Sequence, residues 1–233
     1  MQITGEQIAH MQHDVIDTML GPDRAANVAP LRERRGMARI NAQQSYDALF
    51  GIAPLATVRF SVDERFALAL FISHLHRQDD ASRFYRAALE AAQAALGARP
   101  ESNRCATADT DFARLVCALG DDAACQGPYG NFPPGALSIE DRPGPVWAVD
   151  GRRRAQLGAR LAAAFDHAHL LVYHPRDASA SALQSLLDSG WSSDDVIVLS
   201  QMVAFLTFQI RIVHGLSVLA AMRTDTVCAE ALA

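Results

Sequence analysis

The chain has 233 residues, 50% of them hydrophobic and 20% charged, with a formal net charge of −5. That length can bury a sizeable core in one large helical domain or two small ones, and the composition excludes a disordered chain. A pI near 5.9 offers no field for nucleic acid or an anionic membrane surface. The two basic clusters, Arg32-Glu33-Arg34-Arg35 and Arg152-Arg153-Arg154 behind Asp150, read as residues that pair locally or solvate helix starts.

Helix signals are dense along the chain. Thr4-Gly5-Glu6-Gln7 reads as a capping box opening a helix with Ile8, Met11, Val15 and Met19 on its apolar face and Gly21-Pro22 as its stop. Asn41 to Phe50 reads as a short helix ending at Gly51. Ser61-Val62-Asp63-Glu64 is a second capping box, and the run Phe66 to Ile72 behind it is apolar on all sides, as a central buried helix requires. An Ala-rich helix is expected from about Asp80 to Leu96. Another is expected from Thr107 to Leu119, with Phe112, Leu115, Val116 and Leu119 on one face and Gly120 closing it.

Gly127-Pro128, Pro133-Pro134-Gly135 and Pro143-Gly144-Pro145 break any regular element, so residues 127–150 are a long loop or crossover. It divides an N-terminal helical half, 1–126, from a C-terminal half, 151–233, the two forming one compact domain. After it, Arg152 to Tyr173 reads as one long helix stopped by Pro175. Asp177 can cap a short helix to Leu187, and Ser192-Ser193-Asp194-Asp195 launches an apolar helix to about Ala221. That last segment contains Gln201, Gln209, Arg211 and His214, and a lone arginine at bilayer depth is costly, so it reads as a buried core helix. No period-two run with hairpin turns is found, and the fold class expected is all-α.

The start Met1 to Val15 has no basic segment followed by an apolar run, so a cytoplasmic location is expected. Cys105, Cys117, Cys125 and Cys228 form no C-x-x-C, which excludes a thioredoxin-like pair and a zinc ribbon, and they are expected to stay reduced. Asp166, His167, His169 and His174 invite a metal reading, but the spacing does not supply three convergent ligands. They are expected to be surface or pocket-lining histidines, with no metal and no cofactor.

Three stretches stand in a telling order: Asn41-Ala-Gln-Gln-Ser-Tyr-Asp-Ala-Leu-Phe50, Asp63-Glu-Arg-Phe-Ala-Leu-Ala-Leu-Phe-Ile-Ser73, and Gly190-Trp-Ser-Ser-Asp-Asp-Val196 followed by Ala204-Phe-Leu-Thr-Phe-Gln-Ile-Arg211. Together they resemble the peroxidase-related branch of the alkylhydroperoxidase D-like / carboxymuconolactone decarboxylase superfamily, over roughly residues 10–96 and 152–221. The resemblance implies a multi-helix bundle. In the peroxidase members one helix carries a glutamate, a C-x-x-C pair and a histidine, where a low-pKa thiolate and a resolving thiol work beside proton shuttles. The corresponding positions here are Phe66, Gln78, Ala81 and Tyr85, so the antioxidant thiol-peroxidase relay does not carry over.

The decarboxylase members work with acid–base groups in the equivalent pocket. By that resemblance His74, His76, Tyr85 and His214 are candidate proton-transfer residues, and Gln78, Arg83, Gln201 and Arg211 candidate ligand contacts. His74 and His76 point about 200° apart on an ideal helix, so both cannot face one pocket. Three readings follow. The chain is a degenerate, non-catalytic member that self-associates as a homodimer or larger ring, or joins a cysteine-bearing relative, and binds a small ligand. Alternatively it is a cofactor-free acid–base enzyme acting on a small organic acid or lactone, a decarboxylase-like lyase. The third reading is a residual peroxidase, an oxidoreductase using Cys117 or Cys125.

Overall fold

A computed structural model describes residues 14–51, 59–97 and 109–231. Among them are ten α-helices and no strand; the only β-type pairing is an isolated bridge between Gly130 and Arg142. The all-α class read from the sequence is therefore the observed one. The first capping box, Ile8, Met11 and Cys105 lie outside the described residues, as do residues 1–13 generally.

Backbone contacts divide the chain into two compact units, residues 52–207 and residues 1–51 with 208–233. The larger is built around α4 (Val62–Leu75), which packs against α5 (Asp79–Gly97), α6 (Asp109–Ala123) and α8 (Ala159–Tyr173). Ala67 through Ile72 have no exposed surface at all. A helix with no polar face can persist only where neighbours cover every side, and three helices do so here. Its start is fixed by the expected box: Ser61 and Glu64 each accept a hydrogen bond from the other's backbone N–H.

Three expectations are corrected in this unit. The helix expected over 152–173 is two, α7 (Gly151–Leu157) and α8, because Gly158 takes a φ of +84°, open to glycine and closed to most L side chains. Gly120 does not end α6, which runs to Ala123. The glycine sits where the helix crosses α4, and a Cβ there would lie 2.4 Å from the Cβ of His74. Asp177 does not cap the next helix; it lies in a 3-10 turn, Pro175–Asp177, and Ser179 caps α9 (Ala180–Asp188). The Pro/Gly-rich segment 127–150 lies within this unit and is irregular except for a 3-10 turn, Ala136–Glu140.

The smaller unit contains α1 (Val15–Leu20), α2 (Pro22–Glu33), α3 (Gly36–Phe50) and residues from Phe208 onward of α10 (Ser193–Ala231). Helix α2 had no counterpart in the sequence reading. Gly21-Pro22 stops α1 at Leu20 as expected, and Pro22 also occupies the first turn of a new helix, where its missing N–H costs nothing. Helix α3 likewise begins before Asn41.

The unit is held by a closed polar cluster. Asp14 caps α1 by accepting from the N–H groups of Ile16 (2.9 Å) and Asp17 (3.1 Å). Arg32 donates to both its oxygens at 3.0 and 2.9 Å, and Arg39 donates to Asp14 at 2.8 Å and to Asp17 at 2.6 Å. Gln43 accepts from Val15 N–H at 2.7 Å. Burial pushes the Asp14 carboxyl up, but the bonds from Arg32 and Arg39 outweigh it and hold the group below its ordinary value.

Helix α10 begins as expected, with Asp195 N–H donating to Ser192 Oγ at 3.1 Å, and it runs past Ala221 to Ala231. It is not buried throughout. Leu199, Met202, Val203, Leu206, Ile210 and Val213 are covered, whereas Phe208, Ile212, Leu219 and Met222 are between 37% and 61% exposed. Ser193–Met222 is the one described helix long and apolar enough to cross a membrane, a test that core helices also meet.

Candidate functional site

The candidate residues drawn from the resemblance do not share one pocket. His74, in the last turn of α4, and Gln78 border the same polar cavity with Arg77, Asp79, Ser82 and Asp121. His76, the residue capping α4, faces away and approaches the hydroxyl of Thr207 at 3.4 Å, as its angular offset from His74 requires. Tyr85 is fully buried against Phe84, and Arg83 is exposed and paired with Asp80. Gln201, Arg211 and His214 are exposed, on a helix expected to be buried throughout. The apolar face of α10 turns inward and carries them outward.

His74 Nδ1 lies 2.6 Å from Asp121 Oδ1. The influence of Cys117, chiefly, and that of Asp121 raise the His74 pKa against the opposing effect of burial. A proton placed on this ring is held there. Cys117 and Asp121 are one turn apart on α6, facing α4, and Gly120 between them permits the close crossing that brings His74 within reach.

A second and larger space, about 480 Å³, is bounded by α8, α9 and residues 146–148. Its floor grows out of the apolar core. Phe165 stacks on Phe71 at 4.5 Å, Phe71 meets Trp147 at 5.4 Å, and Trp147 packs over His169 at 5.6 Å. Tyr173 closes the other side of His169 at 4.9 Å, its hydroxyl donating to the Leu75 carbonyl. The three histidines of this stretch, His167, His169 and His174, are all buried and all line the space.

Most polar groups around the cavity are engaged; His167 and the Nε2 of His169 have no hydrogen-bond partner among the described residues. Asp166 pairs with Arg154 and accepts from Val149 N–H at 2.8 Å. His174 has Asp177 Oδ2 at 2.9 Å from Nδ1 and the Pro145 carbonyl at 2.9 Å from Nε2. The Ala123 carbonyl lies beside the His169 ring, whose buried Nε2 has no hydrogen-bond partner among the described residues. Burial, reinforced by the neighbouring His174, pushes the His169 pKa down to about 4, so near neutrality the ring is uncharged and carries one proton. With that proton on Nδ1, facing the carbonyl, Nε2 is the lone-pair nitrogen and can only accept.

Among the described residues no group of three or more His, Cys, Asp or Glu side chains converges to hold a metal ion. The signal for this cavity was present in the sequence as the histidine spacing, but the spacing could not say which ring nitrogen would be left over. No family model, curated protein or solved structure matches the chain.

Proposed function

We propose that this chain is a small-molecule-binding protein on an alkylhydroperoxidase D-like frame that lacks the redox cysteine pair, and that the histidine cavity is its binding site. The order of its capped helices supports the frame. Two of the four positions that carry the peroxidase motif are filled by fully buried packing residues, Ala81 and Tyr85, which suits a helix given over to structure. The observation that carries the reading is the orphaned Nε2 of His169.

A buried acceptor without a donor costs roughly 1–3 kcal/mol, a cost that a ligand supplying the donor removes. The walls, Trp147, Ala163, Leu170 and Leu186, are flat or aliphatic, and Arg154 is already paired with an acid. The matching ligand is a planar, largely apolar, uncharged molecule carrying one hydroxyl, such as a phenol or enol.

Titration of the full chain with phenol, followed by Trp147 fluorescence, tests this. Phenol is expected to bind, benzene and benzoate to bind at least about tenfold more weakly, and both His169→Phe and Ala182→Trp, which puts a bulky ring at a lining position, to abolish binding. Equal binding of phenol and benzene, or undiminished binding by Ala182→Trp, contradicts the reading.

The partner in this reading is a second copy of the chain. Phe208, Ile212, Leu219 and Met222 lie on one face of α10 at heptad-like intervals, with Gly215 between, and all four apolar side chains are exposed. Such a seam pairs with its own kind. Light scattering is expected to give a dimer or larger assembly, and a monomer at tens of micromolar would contradict it.

A further inference from the structure

We infer that His167 is a second contact of the histidine cavity and decides its specificity, an inference that rests on the binding reading above and deepens it. The occupant is a hydroxy-carbonyl compound. Its phenol or enol hydroxyl donates to His169, and its carbonyl oxygen accepts from the ring N–H of His167. His167 is 6% exposed, lines the cavity of about 480 Å³, and has no hydrogen-bond partner among the described residues. A polar side chain so deeply covered ordinarily finds one. Burial pushes its pKa down, so near neutrality the ring is uncharged and carries one N–H and one lone pair, both unanswered within the described chain.

The other polar side chains on the walls are committed. Asp166 is bound to Arg154 and to Val149 N–H, and His174 lies between Asp177 and the Pro145 carbonyl. Trp147 donates its indole N–H to Asp122 at 3.2 Å. Ser185 and Ser189 of α9 turn their hydroxyls back to the carbonyls of Ser181 and Ser185, at 3.1 and 2.8 Å. Among the described side chains, His167 and the Nε2 of His169 are what is left for an occupant.

The two rings reach the cavity from different directions. Ala163, Asp166, His167, Leu170 and His174 recur at helical spacing and so form one face of α8, with His167 near its middle. His169, two residues on, leaves the helix about 200° from His167 and enters beside Trp147 and Tyr173. One hydroxyl therefore does not serve both, and the occupant needs a second polar atom. A carbonyl accepts the N–H of His167 and brings no proton of its own. A second hydroxyl would leave one proton unanswered, its own or the ring's, in a space otherwise walled by Trp147, Leu170 and Leu186.

Calorimetric titration of the full chain near neutral pH with 3- and 4-hydroxyacetophenone, each against the ethylphenol of the same substitution, tests this. Each pair differs only by a carbonyl oxygen in place of two hydrogens. At least one ketone is expected to bind about tenfold or more tighter than its ethyl counterpart. In His167→Phe, and in His167→Leu as a second replacement, that ratio is expected to fall to about one. The comparison in the unaltered chain decides even where a variant fails to fold. Ethylphenol binding with no preference for either ketone, or a preference that survives both replacements, would overturn the inference and leave the His169 site in place. No binding by any of the four compounds would overturn both.

Discussion

The molecule buries polar groups in two contrasting ways. In the smaller unit, Asp14 accepts from two backbone N–H groups and two arginines, and nothing on its carboxylate is left over. In the larger unit, His169 is as deeply buried, yet only one of its two nitrogens is engaged. A saturated cluster returns its desolvation cost within the fold and so is architecture. A half-saturated one leaves that cost standing, and evolution tolerates it where something else completes the set. The contrast assigns stability to the first region and binding to the second.

The largest effect that can break this contrast is on stability. Asp14→Ala removes the more deeply buried of the two acids, Asp14 and Asp17, that Arg32 and Arg39 share and leaves both cations on Asp17 alone, so urea denaturation is expected to show a loss of about 3–5 kcal/mol. The pH dependence has a definite sign. A carboxyl held below its ordinary value stabilises the fold above that value, and the contribution disappears as pH falls through the folded pKa. The native chain should therefore lose stability on acidification below about pH 4, and this acid limb should flatten in Asp14→Ala. Retained stability in the variant would remove the cluster's structural role.

An intermediate effect is expected at the helix crossing. Gly120→Ala pushes a methyl into the His74 side chain, at an ideal separation of 2.4 Å, and should cost about 1–3 kcal/mol by overpacking. A variant of unchanged stability would show that the crossing has slack.

The smallest expected effect sharpens the contrast most. His169→Leu loses the Nδ1–H that faces the Ala123 carbonyl but also removes the unpartnered nitrogen, so stability should change by less than about 1 kcal/mol, in either direction. Phenol binding should vanish nonetheless. A protein that unfolds on this substitution would place His169 with Asp14, as architecture.

Much of the frame could be read from local chemistry. Ser61 with Glu64 and Ser192 with Asp195 announce their helices because a cap is satisfied within four residues, and the run Ala67 to Ile72 announces its own burial. What escaped depends on context. Pro22 can stop one helix or start the next, and only the neighbouring turn decides. Gly158 and Gly120 are the same residue type, yet one breaks a helix by its backbone angle and the other continues through a close crossing.

The sites were less legible still. His74 is a candidate in the sequence, but its partner Asp121 lies more than forty residues onward, and no spacing rule links them. The sequence reads His167, His169 and His174 as surface or pocket-lining; all three are buried and line the cavity, and the unpartnered Nε2 of His169 depends on packing that no spacing reveals. Gln201, Arg211 and His214 misled because so apolar a helix suggests burial on all sides, whereas its exposed side carries them along with Phe208 and Ile212.

The nitrogen-15 resonance of His169 Nε2, followed in the full chain as phenol is added at neutral pH, addresses the binding claim at the atom that carries it. A free acceptor is predicted before addition, with the signal moving toward the hydrogen-bonded position in step with saturation. A resonance already hydrogen-bonded in the unliganded protein, or one that stays still while phenol saturates, would contradict the account.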